Sequence, residues 1–285
     1  MADRAFSVAR LPGFSTIAIV VFVALYLPII TLVVYSFNAS RLVTVWGGFS
    51  TKWYVALFTN DKVIDALILS LKIALVSATI ATILGTMSGI VLARYTKFRG
   101  RTLFSGLVTA PLIMPEVITG ISLLIFFILL GDWIGWPASR GFITITLAHI
   151  TFSAVFVTTI VHARMLQADR AIEEAAMDLG SRPWQVMFDI TLPVISPAIL
   201  SGWLLAFTIS LDDVVITAFT TGPGSTTLPL LIWSKVKLGV TPDINALATL
   251  MVVTVGLGVV AAGIIMNRAE KRRQAEERLA FQRND

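Results

Sequence analysis

The sequence predicts an all-α integral membrane protein with six transmembrane helices, and three observations predict it. Of 285 residues, 56% are hydrophobic and 14% charged, with a mean hydropathy of +0.85. So few charges could not cover a water-soluble globule, and a disordered chain would be far more polar. Six stretches supply the ~20 mostly apolar residues that a helix rising 1.5 Å per residue needs to cross a ~30 Å hydrocarbon core. Lysine and arginine alternate between rich and poor connecting segments, the pattern that sets orientation across a bilayer.

The first span runs from Phe14 to Phe37 and is uncharged. Arg4 and Arg10 precede it as a signal peptide's basic region would. Its apolar run exceeds the roughly 7–15 residues of a signal core and no small-residue cleavage site follows, so it is expected to remain as an anchor. The second span, Ala66 to Ala93, contains Lys72, and the third, Leu103 to Leu130, contains Glu116. Gly141 to His162 is the fourth, with His149 and His162, both read as packing or interfacial groups. The fifth, Val194 to Thr221, holds the adjacent pair Asp212 and Asp213; the sixth, Ile244 to Asn267, is uncharged. Gly85 with Gly89, and Gly256 with Gly258, offer close helix approach, a weak signal in membrane helices. Asn38-Ala39-Ser40 matches a glycosylation sequon, which alone means little.

The chain thus divides into an N-terminal segment (1–13), a membrane domain (14–267) with a long loop at 163–193, and a charged tail (268–285). Six spans put both termini on one side. That side collects 15 basic residues, in four groups: Arg4 and Arg10; Arg94 to Arg101; Arg164, Arg170 and Arg182; and six from Arg268 to Arg283. The other side has 6: Arg41, Lys52, Lys62, Arg140, Lys235 and Lys237. Basic loops stay in the cytoplasm, so both termini are expected there, in a bacterial inner membrane. Trp46, Trp53, Trp133, Trp136 and Trp233 fall in or beside the opposite loops, as interface anchors do. The net charge of +5 is therefore read as topology rather than as affinity for nucleic acid.

Enzyme chemistry is missing. There is no cysteine and no phosphate-binding G-x-x-x-x-G-K-[ST] loop, zinc-protease H-E-x-x-H or nucleophile-elbow G-x-S-x-G. The two histidines and the scattered carboxylates make no classical metal site. The chain is read as a non-enzyme without a cofactor or metal of its own.

The loop Ala163–Pro193 carries the strongest signal. Ile172, Ala175, Ala176 and Leu179 recur at i, i+3, i+4 and i+7, one stripe of a helix that Asp169 would cap and Gly180 would end. Ser181 and Pro183 then start a second short helix with Trp184, Met187 and Phe188 on its apolar face. Periodicity is compatible with two roles: a hairpin lying on lipid headgroups, or a knob that docks into a soluble partner.

Glu174-Ala175-Ala176, Gly180, Ile190 and Leu192-Pro193 resemble, in identity and spacing, the EAA signature of ABC-importer permeases. The resemblance continues through Ala110–Leu124, Gly202–Ile232 and Thr241–Leu250, and within that superfamily is strongest to the polyamine (putrescine/spermidine) permeases. It covers nearly the whole chain, least at the termini. It implies the type I importer permease fold, with the loop as a helix that docks in a groove of the ATPase. It also implies a heterodimer with a homologous permease subunit, two copies of a cytoplasmic ATPase that binds ATP and Mg, and a periplasmic polyamine-binding protein.

A diammonium substrate needs an anionic acceptor for each end and an apolar or aromatic wall for its methylenes. Carboxylates near a bilayer centre are costly and usually face a cavity. Counted at 1.5 Å per residue, Glu116 lies roughly 20 Å from the cytoplasmic end of its span and Asp212 roughly 27 Å from that of its own, compatible depths in the outer half. Glu116, Asp212 and Asp213 are the candidate acceptors, and Trp203 and Phe207, within three turns of Asp212, the candidate wall. Adjacent helical residues diverge by about 100°, so one aspartate is expected to face the path and the other a partner helix. Other roles remain for these acids: pairing with Lys72, capping a helix broken at Pro115, closing an external gate, or meeting a basic group of the partner subunit. Thr221–Leu231, rich in turn residues, reads either as a plain re-entrant loop or as a gate or docking surface. The tail reads as a charged continuation of the last helix, with membrane lipid as a possible contact.

Two other classes fit the membrane acids. An ion-coupled secondary transporter would use Glu116 and Asp212 as a proton relay, and an intramembrane enzyme would need His149 and Asp213. Neither accounts for the loop.

Overall fold

The structure, a computed structural model, describes residues 13–42, 45–238 and 241–282. The expected N-terminal segment, including Arg4 and Arg10, lies outside the described residues except for Gly13. In chain order the helices are α1 (Phe14–Ser36), α2 (Lys52–Phe58), α3 (Asp61–Arg94), α4 (Arg101–Ile113), α5 (Glu116–Ile134), α6 (Phe142–Gln167) and α7 (Arg170–Asp178). A single turn, α8 (Pro183–Gln185), leads through a π-helical turn at Val186–Thr191 into α9 (Leu192–Asp212). Then come α10 (Val215–Thr220), α11 (Leu228–Leu238) and α12 (Pro242–Gln282).

The protein is all-α and spans the membrane several times. Among the described residues five helical stretches are long and apolar enough to cross: Ser15–Ser36, Asp61–Arg94, Glu116–Ile134, Phe142–Gln167 and Pro183–Asp212. Two shorter apolar stretches, Arg101–Ile113 and Pro242–Gly258, lie in the regions of the third and sixth expected spans.

Three expected boundaries are corrected. The third span is not one helix: α4 ends at Ile113, Met114 is extended (ψ 134°), and α5 begins at Glu116. Pro115 is the cause, because its ring disfavours a helical residue before it and it has no N–H to give. The depth assigned to Glu116 assumed a continuous helix and does not hold. The fifth span stops at Asp212, with Asp213 extended (ψ 129°) before α10. The second short helix of the loop is not separate either. It runs on from Pro183 to Asp212 through the π-turn, where Leu192 N–H reaches back five residues to Met187 O. Pro193 supplies no N–H, and a wide turn just before it absorbs the mismatch.

The chain forms two compact units. In Lys62–Trp233, α3, α6 and α9 pack around Ala78, Val157, Val161, Met165, Ile195 and Ala206. The Gly85/Gly89 pair makes this possible. A Cβ on Gly85 would lie 2.6 Å from Val157 Cβ and 2.8 Å from Ala154 O, and one on Gly89 3.0 Å from Val161 Cβ. A second cluster, Phe127, Ala148, Phe152 and Ile216, joins α5, α6 and α10.

The other unit combines the residues up to Asp61 with those from Ser234. Asn38 is buried there and organises its loop, donating to Val45 O (2.7 Å) and accepting from Gly47 N (2.8 Å) and Ser40 N (3.1 Å). Its amide is occupied inside the fold, so the sequon is structural. Lys235 Nζ meets Asp243 Oδ2 at 2.5 Å. Gly256 and Gly258 have no atom within 4 Å of an added Cβ, unlike the pair in α3.

Candidate functional site

The loop between α6 and α9 is built as its residues demand. Asp169 Oδ1 accepts the N–H of Ala171 (2.9 Å) and starts α7. At the other end Gly180 N–H bonds Met177 O (2.9 Å) and Ser181 N–H bonds Ala176 O (3.0 Å), a Schellman pair. It requires a left-handed residue between them, and Gly180 has φ +91°. Gln185 Oε1 then accepts from Arg182 N (2.8 Å) to start α8.

Between these caps the chain turns large apolar side chains outward: Leu179 is 89% exposed, Trp184 58% and Phe188 63%. Glu174 and Ala175 share the exposed surface, with Glu174 paired to Arg170 at 3.0 Å, while Ala176 is half-buried. Ile190 lines a small cleft with Ile172, Thr191 and Ile195, Leu192 packs on the main core, and Pro193 is exposed. The signature thus splits into an outward part, Glu174 to Gly180, and an inward part, Ile190 and Leu192.

One residue of this region, an acid in the first turn of α7, has a role that the helix pattern did not give it. Glu173 points inward, and both its oxygens are held by Arg94 at the end of α3 (Nε–Oε2 2.9 Å, Nη2–Oε1 3.0 Å). Thr191 Oγ1 also donates to Glu173 Oε1 (3.0 Å), and Arg94 Nη1 donates to Met165 O (3.0 Å). The two side chains are 15% and 16% exposed, so this clamp is shielded from water. It ties α3, α6, α7 and the π-turn together. The pattern Glu-Glu was the available signal: two acids about 100° apart on a helix point in different directions, so only one of them need share the outward face.

The second region lies where two helices break at carboxylates. Glu116 opens α5 and Asp212 closes α9; both are exposed, and each lies in the electrostatic reach of the other. Asp213 is not free. Its oxygens accept from Ile216 N (3.2 Å), Thr217 N (2.7 Å) and Thr217 Oγ1 (2.8 Å), capping α10. Of the alternative roles considered for these acids, capping is the one Asp213 takes, at α10; the helix that follows Pro115 has no side-chain cap. His149 Nε2 lies 3.2 Å from Asp213 Oδ2 and 3.0 Å from Thr217 Oγ1, and its Nδ1 2.7 Å from Ser210 Oγ. Ser77 Oγ of α3 donates to Ser210 (2.9 Å). So His149, read as a packing group, is the centre of a buried polar network. Trp203 and Phe207 stack on each other (centroids 5.4 Å, planes 13° apart) and rest on the main core, with Trp203 Nε1 bonded to Thr79 Oγ1 (3.2 Å). Lys72 does not pair with these acids among the described residues; it lines a separate cleft of about 440 Å³ with Lys62, Asp65 and Thr226. In Thr221–Leu231 a turn fastened by Ser225 Oγ on Gly222 N (3.0 Å) leads into α11.

Residues 85–275 match the family described as binding-protein-dependent transport system inner membrane component. The chain is 54% identical over 266 residues to the putrescine transport system permease protein PotI of Escherichia coli, covering 93% of this chain and 95% of that one. It is 42% identical over 253 residues (89% and 92%) to the spermidine/putrescine transport system permease protein PotC of the same species. A bacterial ABC transporter involved in the import of the acidic polysaccharide alginate shares the fold, with a TM-score of 0.70 at 13% identity, over 92% of this chain and 98% of that one. The family is one of transport components, not of enzymes. With a loop that presents an apolar knob and with this family match, the chain belongs to the binding-protein-dependent inner-membrane transport components, the permease subunits of ABC importers.

Proposed function

We propose that the chain is one of two permease subunits of an importer that moves polyamines, putrescine first among them, from periplasm to cytoplasm. The observation that carries the proposal is the loop Ala163–Pro193: its caps hold Leu179, Trp184 and Phe188 outward, on a motif shared with importer permeases, and a part-buried clamp ties it to the spans. A partner of matching apolar chemistry covers that knob. The partner is a cytoplasmic ATPase, present twice, which binds ATP and Mg. The other partners are a homologous permease subunit, a periplasmic polyamine-binding protein and membrane lipid.

In this reading α4 and α5 together make the third span and α12 the sixth, with both termini cytoplasmic. ATP binding closes the ATPase pair and draws Glu174–Gly180 inward, opening the path to the outside; hydrolysis resets it. Such coupling needs the two states to differ in affinity for the nucleotide-bound partner. Glu116 and Asp212 meet the ammonium groups, with Trp203 and Phe207 beside the methylene chain. The high identity to permeases named for putrescine supports the substrate class.

The test is ATP hydrolysis by the full complex in liposomes, with and without putrescine-loaded binding protein, for the wild type and Gly180→Pro. Stimulation by the loaded protein that Gly180→Pro abolishes supports the importer. Uptake without any ATPase, driven by a proton gradient, overturns it.

A further inference from the structure

The transport reading leaves the polar network at the α9–α10 break without a role. It is buried where few polar groups are tolerated, and its proton order can be read from its donors. Thr217 Oγ1–H and Thr217 N–H both go to Asp213 Oδ2, so Thr217 Oγ1 is free to accept, and it lies 3.0 Å from His149 Nε2. His149 therefore carries a proton on Nε2, shared between Thr217 Oγ1 and Asp213 Oδ2. Its Nδ1 lies 2.7 Å from Ser210 Oγ, which accepts from Ser77 Oγ. The network thus joins α3, α9 and α6 to the break and ends on a carboxylate.

This arrangement fixes a backbone. Asp213 follows the end of α9 with an extended backbone (ψ 129°), so the helix does not carry it onward. Its carboxylate is instead drawn inward by His149 and the first N–H groups of α10. The far end of α10 is fastened to the same helix, with Thr144 Oγ1 of α6 donating to Thr220 O (2.7 Å). Gly120 of α5 lies against Phe219 so closely that an added Cβ would fall 2.6 Å from the ring. α10 is thus held at both ends and against α5. With Asp213 turned inward, the residue before it lies on the exposed side, where Asp212 shares the field of Glu116.

We infer that His149 is a positioning residue for cation passage: it holds Asp213 inward at the α9–α10 break and thereby directs the Asp212 carboxylate to the pathway. The inference rests on the proposed polyamine path through Asp212.

The experiment uses the complete complex of both permeases, ATPase and binding protein in phosphatidylethanolamine/phosphatidylglycerol liposomes, with putrescine as the probe. It reads putrescine taken up per ATP hydrolysed, and the melting temperature of the complex. His149→Phe, which keeps a ring and loses the bonds, is expected to lower uptake per ATP about tenfold. His149→Gln, whose amide nitrogen reaches the Nε2 position, is expected to stay within about threefold of wild type. Combining His149→Phe with Asp212→Asn is expected to add nothing to Asp212→Asn alone, because both act through one carboxylate. A lowered melting temperature with uptake per ATP unchanged overturns the inference, as do effects of the two substitutions that multiply. If His149→Phe fails to assemble, His149→Gln is compared with His149→Asn, which reaches only the Nδ1 position; equal transport by the two overturns it. Asp212→Asn with normal uptake per ATP sinks the path itself and this inference with it. A deficit in Asp212→Asn with none in His149→Phe sinks only the inference.

Discussion

The guanidinium of Arg94 grips both carboxylate oxygens of Glu173, 79 positions later, with bonds of 2.9 and 3.0 Å. This clamp joins the last turn of α3 to the helix that presents the knob; in the proposed importer, motion of the knob would pass through it to a membrane span. Glu173→Ala would leave Arg94 charged and half-enclosed with only Met165 O, a loss of about 1.5–3 kcal/mol for a charged hydrogen bond. The expected outcome is retained basal ATP hydrolysis with stimulation by loaded binding protein reduced about tenfold. The exchanged pair Arg94→Glu with Glu173→Arg should recover part of it. The measurement is the ratio of stimulated to basal ATPase activity.

Gly180 is at φ +91°, which costs a residue with a Cβ about 1–2 kcal/mol. Gly180→Ala should weaken the Schellman turn and lower the stimulated rate. Gly180→Asn should be milder, because asparagine tolerates the left-handed region. Rates that rank Ala above Asn would contradict this.

Gly85 and Gly256 are both glycines of apolar helices, yet only the first sits against a neighbour. Gly85→Ala forces Val157 and the carbonyl of Ala154 to move, with an overpacking cost of about 1–3 kcal/mol. Gly256→Ala should be neutral or slightly stabilising, since alanine is the better helix former. Melting temperatures of the purified complex would separate the two.

Neighbouring aspartates should fail differently. Asp213→Asn loses an acceptor for Thr217 N–H and faces it with an amide, so the amount of folded complex should fall, at a cost of about 1–3 kcal/mol. Asp212→Asn, exposed in this chain, should fold normally and lose transport. Equal folded yields for the two would show that the cap on α10 is dispensable.

Trp184 is 58% exposed on the proposed docking surface. Trp184→Ser should leave folding unchanged, because its side chain is mostly exposed, and cut recovery of the ATPase with the purified permease pair. Undiminished recovery would remove the knob from the docking surface.

Hydropathy and spacing made most of the membrane elements legible, along with both caps of α7, because apolar length and the needs of Asp169 and Gly180 are local. The breaks were not. Met114–Pro115 and Asp213 sit inside stretches apolar enough to read as single spans, and hydropathy is blind to where a backbone leaves the helix. Pro115 was a readable warning; Asp213 was not, because its partners Ile216, Thr217 and His149 are assembled only by folding. The stripe Ile172, Ala175, Ala176 and Leu179 was correctly seen as one face, but apolar residues in a row do not say whether they face a core or a partner. Here Leu179 faces out, and the inward acid Glu173 took a place that polarity alone would have assigned to water. The same blindness hid His149, an imidazole in an apolar helix whose hydroxyl partners come from two other helices.

From Pro183 to Asp212 the helix is unbroken for 30 residues, the π-turn included. At 1.5 Å per residue it is a rod of about 45 Å, and a tilt of about 5° at one end sweeps the other through about 4 Å. Trp184 stands at one tip and Asp212 at the other. A displacement too small to separate the docked surfaces is thus amplified, by leverage alone, into one larger than the radius of an ammonium group.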